Sequence, residues 1–185
     1  MGFSKVTMDE LVDQLGISKK TMYQYFRSKD ELIEAVIEWQ FIHVGARLKE
    51  IMNSSMDFVD KLYSLWTMIG EVLSRFSKQF QDDLRRFRHD LWRRIEKIRR
   101  ENILTNFTKL VDEGMNLGLI RTDVNKEVLL HIYLSTVQGV INPEVLVQHS
   151  FSAEEAFKTI LRVLLDGILT DSARQKFRKR IFTQK

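Results

Sequence analysis

Apolar residues return at helical spacing along most of this chain. Between Phe58 and Phe80 they recur every three or four residues over six turns, which predicts one long amphipathic helix. The same spacing predicts further helices, which run from Leu91 to Gly114, from Asp123 or Asn125 to about Ile141, and from Ala153 to Leu169. The pattern is therefore that of a helical protein with long elements.

Polar residues and helix breakers separate these helices. The segment from Asp82 to Asp90 is polar and short, and we expect it to connect two helices. Gly114 and Gly118 end the next helix, and Pro143 stops the one after it because proline cannot continue a helix. The tail from Ser172 is rich in Lys and Arg, and we expect it to be frayed.

The first thirty residues contain more closely spaced helix signals. Thr7 followed by Glu10 is a capping box that opens a short helix from Met8 to Leu15, and Gly16 suits its left-handed end. Further cap signals follow: Ser18 caps a second short helix, Lys19 to Phe26, and Ser28 with Glu31 opens a third that reaches about Met52. Two helices of about two turns are thus joined by a three-residue turn.

Composition agrees with an all-α fold. The 185 residues include one proline and eight glycines, too few for the frequent turns of a sandwich or barrel. With 44% hydrophobic and 29% charged residues the chain has the balance of a folded globular protein. No stretch approaches 18 apolar residues, so we expect no membrane partner. The absence of cysteine fits a reducing compartment, and we expect a cytoplasmic protein.

Catalytic and metal-binding patterns are missing from the sequence. There is no glycine-rich phosphate loop and no nucleophile elbow, and the adjacent carboxylates do not share a helix face. The four histidines lie far apart, without the spacing of metal ligands. We therefore expect no enzymatic activity, no metal and no cofactor.

The two short helices carry a distinctive division of faces. Their apolar residues are spaced to bring two crossing helices together; they are Leu11, Leu15, Ile17, Met22 and Phe26. The other face of the second helix is cationic, aromatic and amide-bearing, with Lys19, Lys20, Tyr23, Gln24 and Arg27. Such side chains bind phosphates and base edges, which is the layout of a helix-turn-helix with its second helix in a major groove.

The sequence from Gly16 to Leu32 resembles the TetR family of bacterial transcriptional regulators. The matching pattern is Gly16-Ile17-Ser18-Lys19-x-Thr21-Met22-Tyr23-x-Tyr25-Phe26-x-Ser28-Lys29-x-x-Leu32, preceded by Thr7, Glu10, Leu11, Val12 and Leu15. The resemblance implies an all-α homodimer that binds a palindromic DNA operator and represses until a small-molecule effector releases it. It also implies DNA contacts by Thr7, Ser18, Lys19, Lys20, Thr21, Tyr23, Gln24, Tyr25 and Lys29.

This chain departs from the family pattern at two places. The family usually has a full helix before the glycine and phenylalanine that stand here as Gly2 and Phe3. We expect either that the sequence is truncated at its start or that the DNA-binding domain lacks one packing partner. Val12 occupies a helix crossing where the family favours a small residue. We expect valine to fit there, so it is the missing first helix that motivates the alternative function: a helical dimer that has lost DNA binding and acts only as a ligand-binding or interaction protein.

The two expected domains are a DNA-binding unit over residues 1–45 and a helical ligand-binding and dimerisation domain over 46–185. We expect a largely apolar ligand cavity between the Phe58–Phe80 and Leu91–Gly114 helices, closed on one side by Val128–Ile141. Candidate ligand-contacting residues are Trp66, Phe80, Trp92, Phe107, His131 and Gln138, with Tyr133 a further polar anchor. Aromatic residues at such spacing also occur as ordinary core.

Two further patterns bear on partners. The helix from Ala153 carries an apolar stripe too wide for one partner within the chain, which predicts a four-helix dimer interface with the Asn125–Ile141 helix; its residues are Ile160, Leu161, Leu164, Leu165 and Ile168. The net charge is only +4, and acidic residues interleave the basic runs around Arg85–Arg88 and Arg93–Arg100. These runs favour a salt-bridged, solvated face over a second nucleic-acid patch.

Overall fold

The computed structural model describes residues 2–182 and is all-α there, with one isolated bridge between Ile120 and Leu169. In chain order the α-helices are α1 (Met8–Leu15), α2 (Lys19–Tyr25), α3 (Lys29–Met52), α4 (Phe58–Ser74), α5 (Lys78–Phe87), α6 (His89–Asn102), α7 (Thr108–Asn116), α8 (Lys126–Val140), α9 (Pro143–Gln148), α10 (Ala153–Ile168) and α11 (Asp171–Phe182). A 3₁₀ turn, Phe3–Lys5, precedes α1, and a π-helical segment, Ile103–Phe107, joins α6 to α7. The predicted fold class is confirmed.

The main hydrophobic core lies in the C-terminal part of the chain. There α4 packs against both α10 and α11, and α8 packs beside α10. Large side chains fill this core, among them Phe58, Met68 and Phe157, each no more than 2% exposed. A smaller core joins α3 to α5 and α6 and contains Ile33, Ile37, Leu84, Leu91 and Trp92.

The long helix predicted from Phe58 to Phe80 is wrong in its last six residues. Helix α4 ends at Ser74, and Ser77 begins α5 by accepting a hydrogen bond from the amide of Phe80 at 3.1 Å. Apolar spacing continues across the break, so periodicity alone does not reveal it. The expected polar connection from Asp82 to Asp90 consequently lies mostly within helix α5.

The predicted helix stop at Pro143 is confirmed, since α8 ends at Val140, whereas the one at Gly114 is wrong. Pro143 does not merely end α8; it opens α9 as the first residue, after Asn142 has accepted a hydrogen bond from the amide of Glu144 at 2.9 Å. Gly114 lies inside α7, where a Cβ would come within 2.6 Å of the Phe58 and Ile120 side chains. It is Gly118, with a φ of 66°, that follows the end of this helix.

The C-terminal tail is a helix rather than a frayed end over the residues described. In α11, Ala173 is fully buried and Phe177 is 2% exposed, both within the main core. Arg180 extends over the ring of Tyr63 and pairs with Asp60 of α4 at 2.9 Å. Ala173 and Phe177 are one helical turn apart, but the many basic residues of the tail led to the prediction of a frayed end.

Candidate DNA-binding face and interior cavity

A side-chain cap fixes the start of each of the two short helices. The Thr7 hydroxyl accepts from the Glu10 amide at 3.2 Å, and the Glu10 carboxylate accepts from the Thr7 amide at 2.7 Å. This hydrogen bond to Thr7 lowers the pKa of Glu10. Gly16 then takes a left-handed conformation at φ 64°, and the Ser18 hydroxyl accepts from the Thr21 amide at 3.0 Å. The predicted capping box and turn are confirmed.

A small core holds α2 against α1. Met8, Val12 and Met22 are each no more than 8% exposed, with Leu11, Phe26 and Leu32 packed around them. Valine thus fits at the crossing. Two of the predicted crossing residues do not lie in it: Leu15 is 64% exposed and Ile17 38% exposed, because the buried contact is centred on Val12 and Met22.

Burying Met22 turns the opposite side of α2 outward. Lys20 and Gln24 are exposed there, and the aromatic side chains of Tyr23 and Tyr25 are 47% and 73% exposed. Lys19 is also exposed but forms an ion pair with Asp9 of α1 at 2.8 Å. The hydroxyls of Ser18 and Thr21 lie 2.8 Å apart at the start of the helix.

Lys29 lies apart from this exposed set. Its Nζ donates to the carbonyl oxygens of Phe3 at 3.3 Å and Val6 at 3.0 Å, so the amino group ties the N-terminal segment to the start of α3. The same segment is held at a second point, where the Ser4 amide donates to the Asp83 carboxylate at 2.7 Å. Lys29 therefore holds the N-terminal segment in place, a role that could not be predicted from its position in the sequence.

A cavity of about 280 Å³ lies inside the larger part of the molecule. Helices α3, α4, α5, α6, α8 and α10 and the π-helical segment all contribute to its wall. Three of the predicted candidates, Phe80, Trp92 and Phe107, line it together. Tyr133 also lines it from α8, and burial raises the pKa of this phenol.

The other three candidates do not reach the cavity. The inward face of α8 presents Tyr133 and Val137, which leaves His131 and Gln138 on the exposed side of that helix. Trp66 lies instead under α11, with its ring centroid 6.0 Å from that of Phe177. The alternative of ordinary core packing therefore holds for Trp66, and its contact with the tail was not predicted because α11 was expected to be frayed.

The cavity-lining polar residues that were not predicted include Gln40 on α3 and Arg99 on α6. Gln40 is 8% exposed, and its Nε2 has no hydrogen-bond partner within residues 2–182. Arg99 follows Ile95 by four residues and Trp92 by seven, so it occupies the apolar face of its helix. That register was a readable signal, but the surrounding basic run obscured it.

An exposed apolar face lies on α8 and α10. Val128 and Ile132 are about half exposed at 53% and 52%, and Val163 is 69% exposed. These residues border a surface groove together with Ile160 and Leu164. The other residues of the predicted stripe, Leu161, Leu165 and Ile168, are buried within the chain itself. The stripe therefore divides between the core and the surface.

A capped helix-turn-helix joined to a larger helical bundle with an interior cavity defines a DNA-binding transcriptional regulator. The family model described as bacterial regulatory proteins, tetR family, matches residues 1–36. A relative in Bacillus subtilis, the HTH-type transcriptional regulator YvaF, is 30% identical over 92% of this chain and 88% of its own length. The chain belongs to the TetR family, and it is a transcriptional regulator rather than an enzyme.

More distant similarities agree with this assignment. The HTH-type transcriptional repressor KstR2 of Mycolicibacterium smegmatis is 22% identical, over 90% of this chain and 82% of the relative. The solved structure of a transcriptional regulator from Cytophaga hutchinsonii shares the fold with a TM-score of 0.62, at 20% identity over 91% of both chains. Over residues 2–182, no helix combines the length and apolarity needed to cross a bilayer.

Proposed function

We propose that this regulator is a cytoplasmic homodimeric repressor that binds a palindromic operator and is released by a small molecule. On DNA, Lys20 and Gln24 would face base edges or flanking phosphates, with Tyr23 and Tyr25 against the backbone. Lys19 would exchange its ion pair with Asp9 for a phosphate, and the hydroxyls of Thr7, Ser18 and Thr21 would contact phosphates at the two helix starts. Lys29 would act chiefly by positioning the N-terminal segment.

The position of α3 is the observation that carries the release mechanism. This helix begins immediately after the helix-turn-helix, and its residues Ile37, Gln40 and Phe41 line the cavity. A ligand that favours a different placement of α3 would also move the recognition helix, because α3 is joined directly to the helix-turn-helix. It would lower operator affinity by the difference between its affinities for the two placements.

Dimerisation through α8 and α10 supplies the second recognition helix. Two copies pairing the exposed face of Val128, Ile132, Ile160, Val163 and Leu164 would bury apolar surface that the single chain leaves in water. A palindromic operator requires two recognition helices about 34 Å apart, which one chain cannot provide.

The operator is tested by fluorescence anisotropy with duplexes that tile the DNA upstream of the protein's own gene. We expect tight binding to one duplex with two-fold symmetry and weak binding to its scrambled version. Equal affinity for every duplex would favour the alternative of a helical dimer without operator recognition.

The release mechanism is tested without knowing the ligand. Ile98 lines the cavity, so Ile98→Phe should fill part of it and lower operator affinity, whereas Ile42→Phe on the 62%-exposed face of α3 should not. Thermal melting shows whether the variant remains folded. An unchanged operator affinity in a folded Ile98→Phe protein would argue against coupling through the cavity.

The dimer is tested by sedimentation. Val163→Glu places a charge in the proposed interface and should produce a monomer, while Leu117→Glu, at a site 57% exposed in a turn, should leave the dimer intact. A wild-type monomer at tens of micromolar would contradict the proposal.

A further inference from the structure

Among residues 2–182, one charged side chain, that of Arg99, lines the cavity. The rest of the described lining is mostly aliphatic and aromatic and includes no aspartate, glutamate or lysine. An arginine remains protonated at any physiological pH, so the cavity contains one positive charge in largely apolar surroundings.

Arg99 differs from the other arginines that are partly or largely shielded from water. Carboxylates lie within 4 Å of each of them in the described part of the chain; the pairs are Arg85–Glu144, Arg88–Asp90, Arg174–Asp171 and Arg180–Asp60. Even the buried Lys61 has Glu113 at 2.7 Å. No ion pair of Arg99 occurs within residues 2–182, where its contacts are a 3.4 Å hydrogen bond to the Ile141 carbonyl and the ring of Trp92 at 5.9 Å.

This arrangement is unfavourable in the absence of a ligand. A shielded cation with no carboxylate within ion-pair distance loses hydration that one long hydrogen bond and the more distant charge of Glu96 do not replace. Burial accordingly lowers the pKa of Arg99. The fold maintains this unpaired charge inside a cavity, where a bound anion would supply the missing partner.

Neutral hydrogen-bonding groups lie along the same wall. Asn102 and Asn106 also line the cavity and follow Arg99 by three and seven residues, which places all three on one side of α6 and its π-helical extension. The Asn106 carboxamide donates to the Asn102 carbonyl at 3.1 Å, which fixes its orientation. A π-helical segment in this position is consistent with a binding site, where such segments are frequent.

We propose that the effector of this regulator is an amphiphilic monocarboxylate, with its carboxylate paired to Arg99 and its hydrocarbon body in the apolar part of the cavity. One cation matches one negative charge, whereas a phosphate dianion would lack a second cation on this wall. The guanidinium can bind both carboxylate oxygens at once. The inference rests on the proposed function, because it takes the cavity to be the effector site.

The test is calorimetric titration of the full chain with two matched series: straight-chain carboxylates from hexanoate to dodecanoate and primary alcohols of the same lengths. The wild type should bind the best carboxylate about tenfold or more tighter than its alcohol. Arg99→Met should abolish that preference while retaining alcohol binding, which also shows that its cavity is intact. Arg99→Gln, which removes the charge but keeps donors, provides a second folded variant.

Arg100→Met is the matched control, because it removes an equal charge from the neighbouring, exposed position of the same helix. It should keep the carboxylate preference. Equal binding of the two series by the wild type, a preference that survives in Arg99→Met, or no binding of either series would each overturn the inference.

Operator anisotropy in the presence of the same compounds separates this inference from the proposed function. Carboxylates that bind through Arg99 without weakening operator binding would support the carboxylate site at Arg99 but contradict release through the cavity, and with it the effector role of that site. Operator release by the alcohols, equal in wild type and Arg99→Met, would support release and overturn the assignment of a carboxylate.

Discussion

The DNA-binding unit and the C-terminal bundle are stabilised by different kinds of interaction. In the former, helices α1 and α2 meet in a small core of Met8, Val12 and Met22, and side-chain caps and one left-handed glycine define the ends of these helices. The bundle buries many large side chains from helices far apart in sequence, such as Phe58 with Phe177. Local bonds thus set the shape of the first region, whereas long-range packing sets that of the second. We expect the two regions to respond differently to substitution.

The largest effect is expected from Phe177→Ala. This side chain is 2% exposed in the main core and contacts Trp66 from α11, so its loss should lower the free energy of unfolding by about 3–5 kcal/mol. Urea unfolding at a fixed protein concentration measures the change. Lys176→Ala, an exposed neighbour on the same helix, should change it by less than about 0.5 kcal/mol. A comparable loss in both variants would mean that helix formation rather than packing is being measured.

Met22→Ala should affect the other region. Met22 is 3% exposed in a small core, so we expect a loss of about 2 kcal/mol in the local stability of α1 and α2, with little change in the main unfolding transition. Hydrogen exchange of amides in residues 8–25 reports the local opening. Leu15→Ala, at a 64% exposed position, is the control. A simultaneous drop of the main transition would show that the two regions unfold as one.

Substitutions on the exposed face of α2 should leave folding unchanged and alter DNA binding. If Gln24 reads a base edge, Gln24→Ala should cost about 1–3 kcal/mol on the operator and much less on scrambled DNA. Tyr23→Ala should weaken binding to both duplexes about equally, because a backbone contact is independent of sequence. Anisotropy titrations at two salt concentrations measure both effects. Equal losses on both duplexes for Gln24→Ala would exclude base reading by this residue.

The smallest effect is expected at the junction of the two regions. Arg88 donates to Asp90, which holds the pKa of that carboxyl at about 2, below its ordinary value of 3.8. The ionised pair therefore stabilises the folded chain above the ordinary pKa, and this contribution is lost as the pH falls towards 2. Urea unfolding between pH 5 and pH 2 should show a shallower loss of stability in Asp90→Asn. If the free energy of unfolding depended on pH identically in the wild type and in Asp90→Asn, a contribution from this pair would be ruled out.

The contrast between local bonds and long-range packing also explains how well each region could be predicted from the sequence. Caps and turns are encoded by neighbouring residues, so Thr7, Gly16, Ser18 and Ser28 identified helix ends that the structure confirms. Helix α11 was missed because its stability depends on Ala173 and Phe177 meeting a core distant in sequence. The approximate location of the cavity was predictable from the helices that carry Phe80, Trp92 and Phe107.

The polar chemistry of the cavity was harder to predict. The basic run on α6 was interpreted as a solvated, salt-bridged face, and Arg94 does pair with Glu38 at 2.7 Å. Arg99, five residues later, faces the interior instead. Charge composition does not distinguish these two arginines. Their surroundings are set by which side of α6 meets the rest of the bundle.

The π-helical segment Ile103–Phe107 has a consequence for how the cavity can change by mutation. Consecutive residues of an α-helix are separated by about 100° around its axis. A π-helical turn holds about one residue more than an α-helical turn, because its hydrogen bonds join residues five rather than four apart. Arg99 and Phe107 are eight residues apart, and this wider turn brings them to the same face of the helix. A substitution that restored regular α-helix without a deletion would rotate the preceding wall relative to α7 by about 100°. Arg99 and Phe107 would then no longer face the same space, although neither residue had been changed.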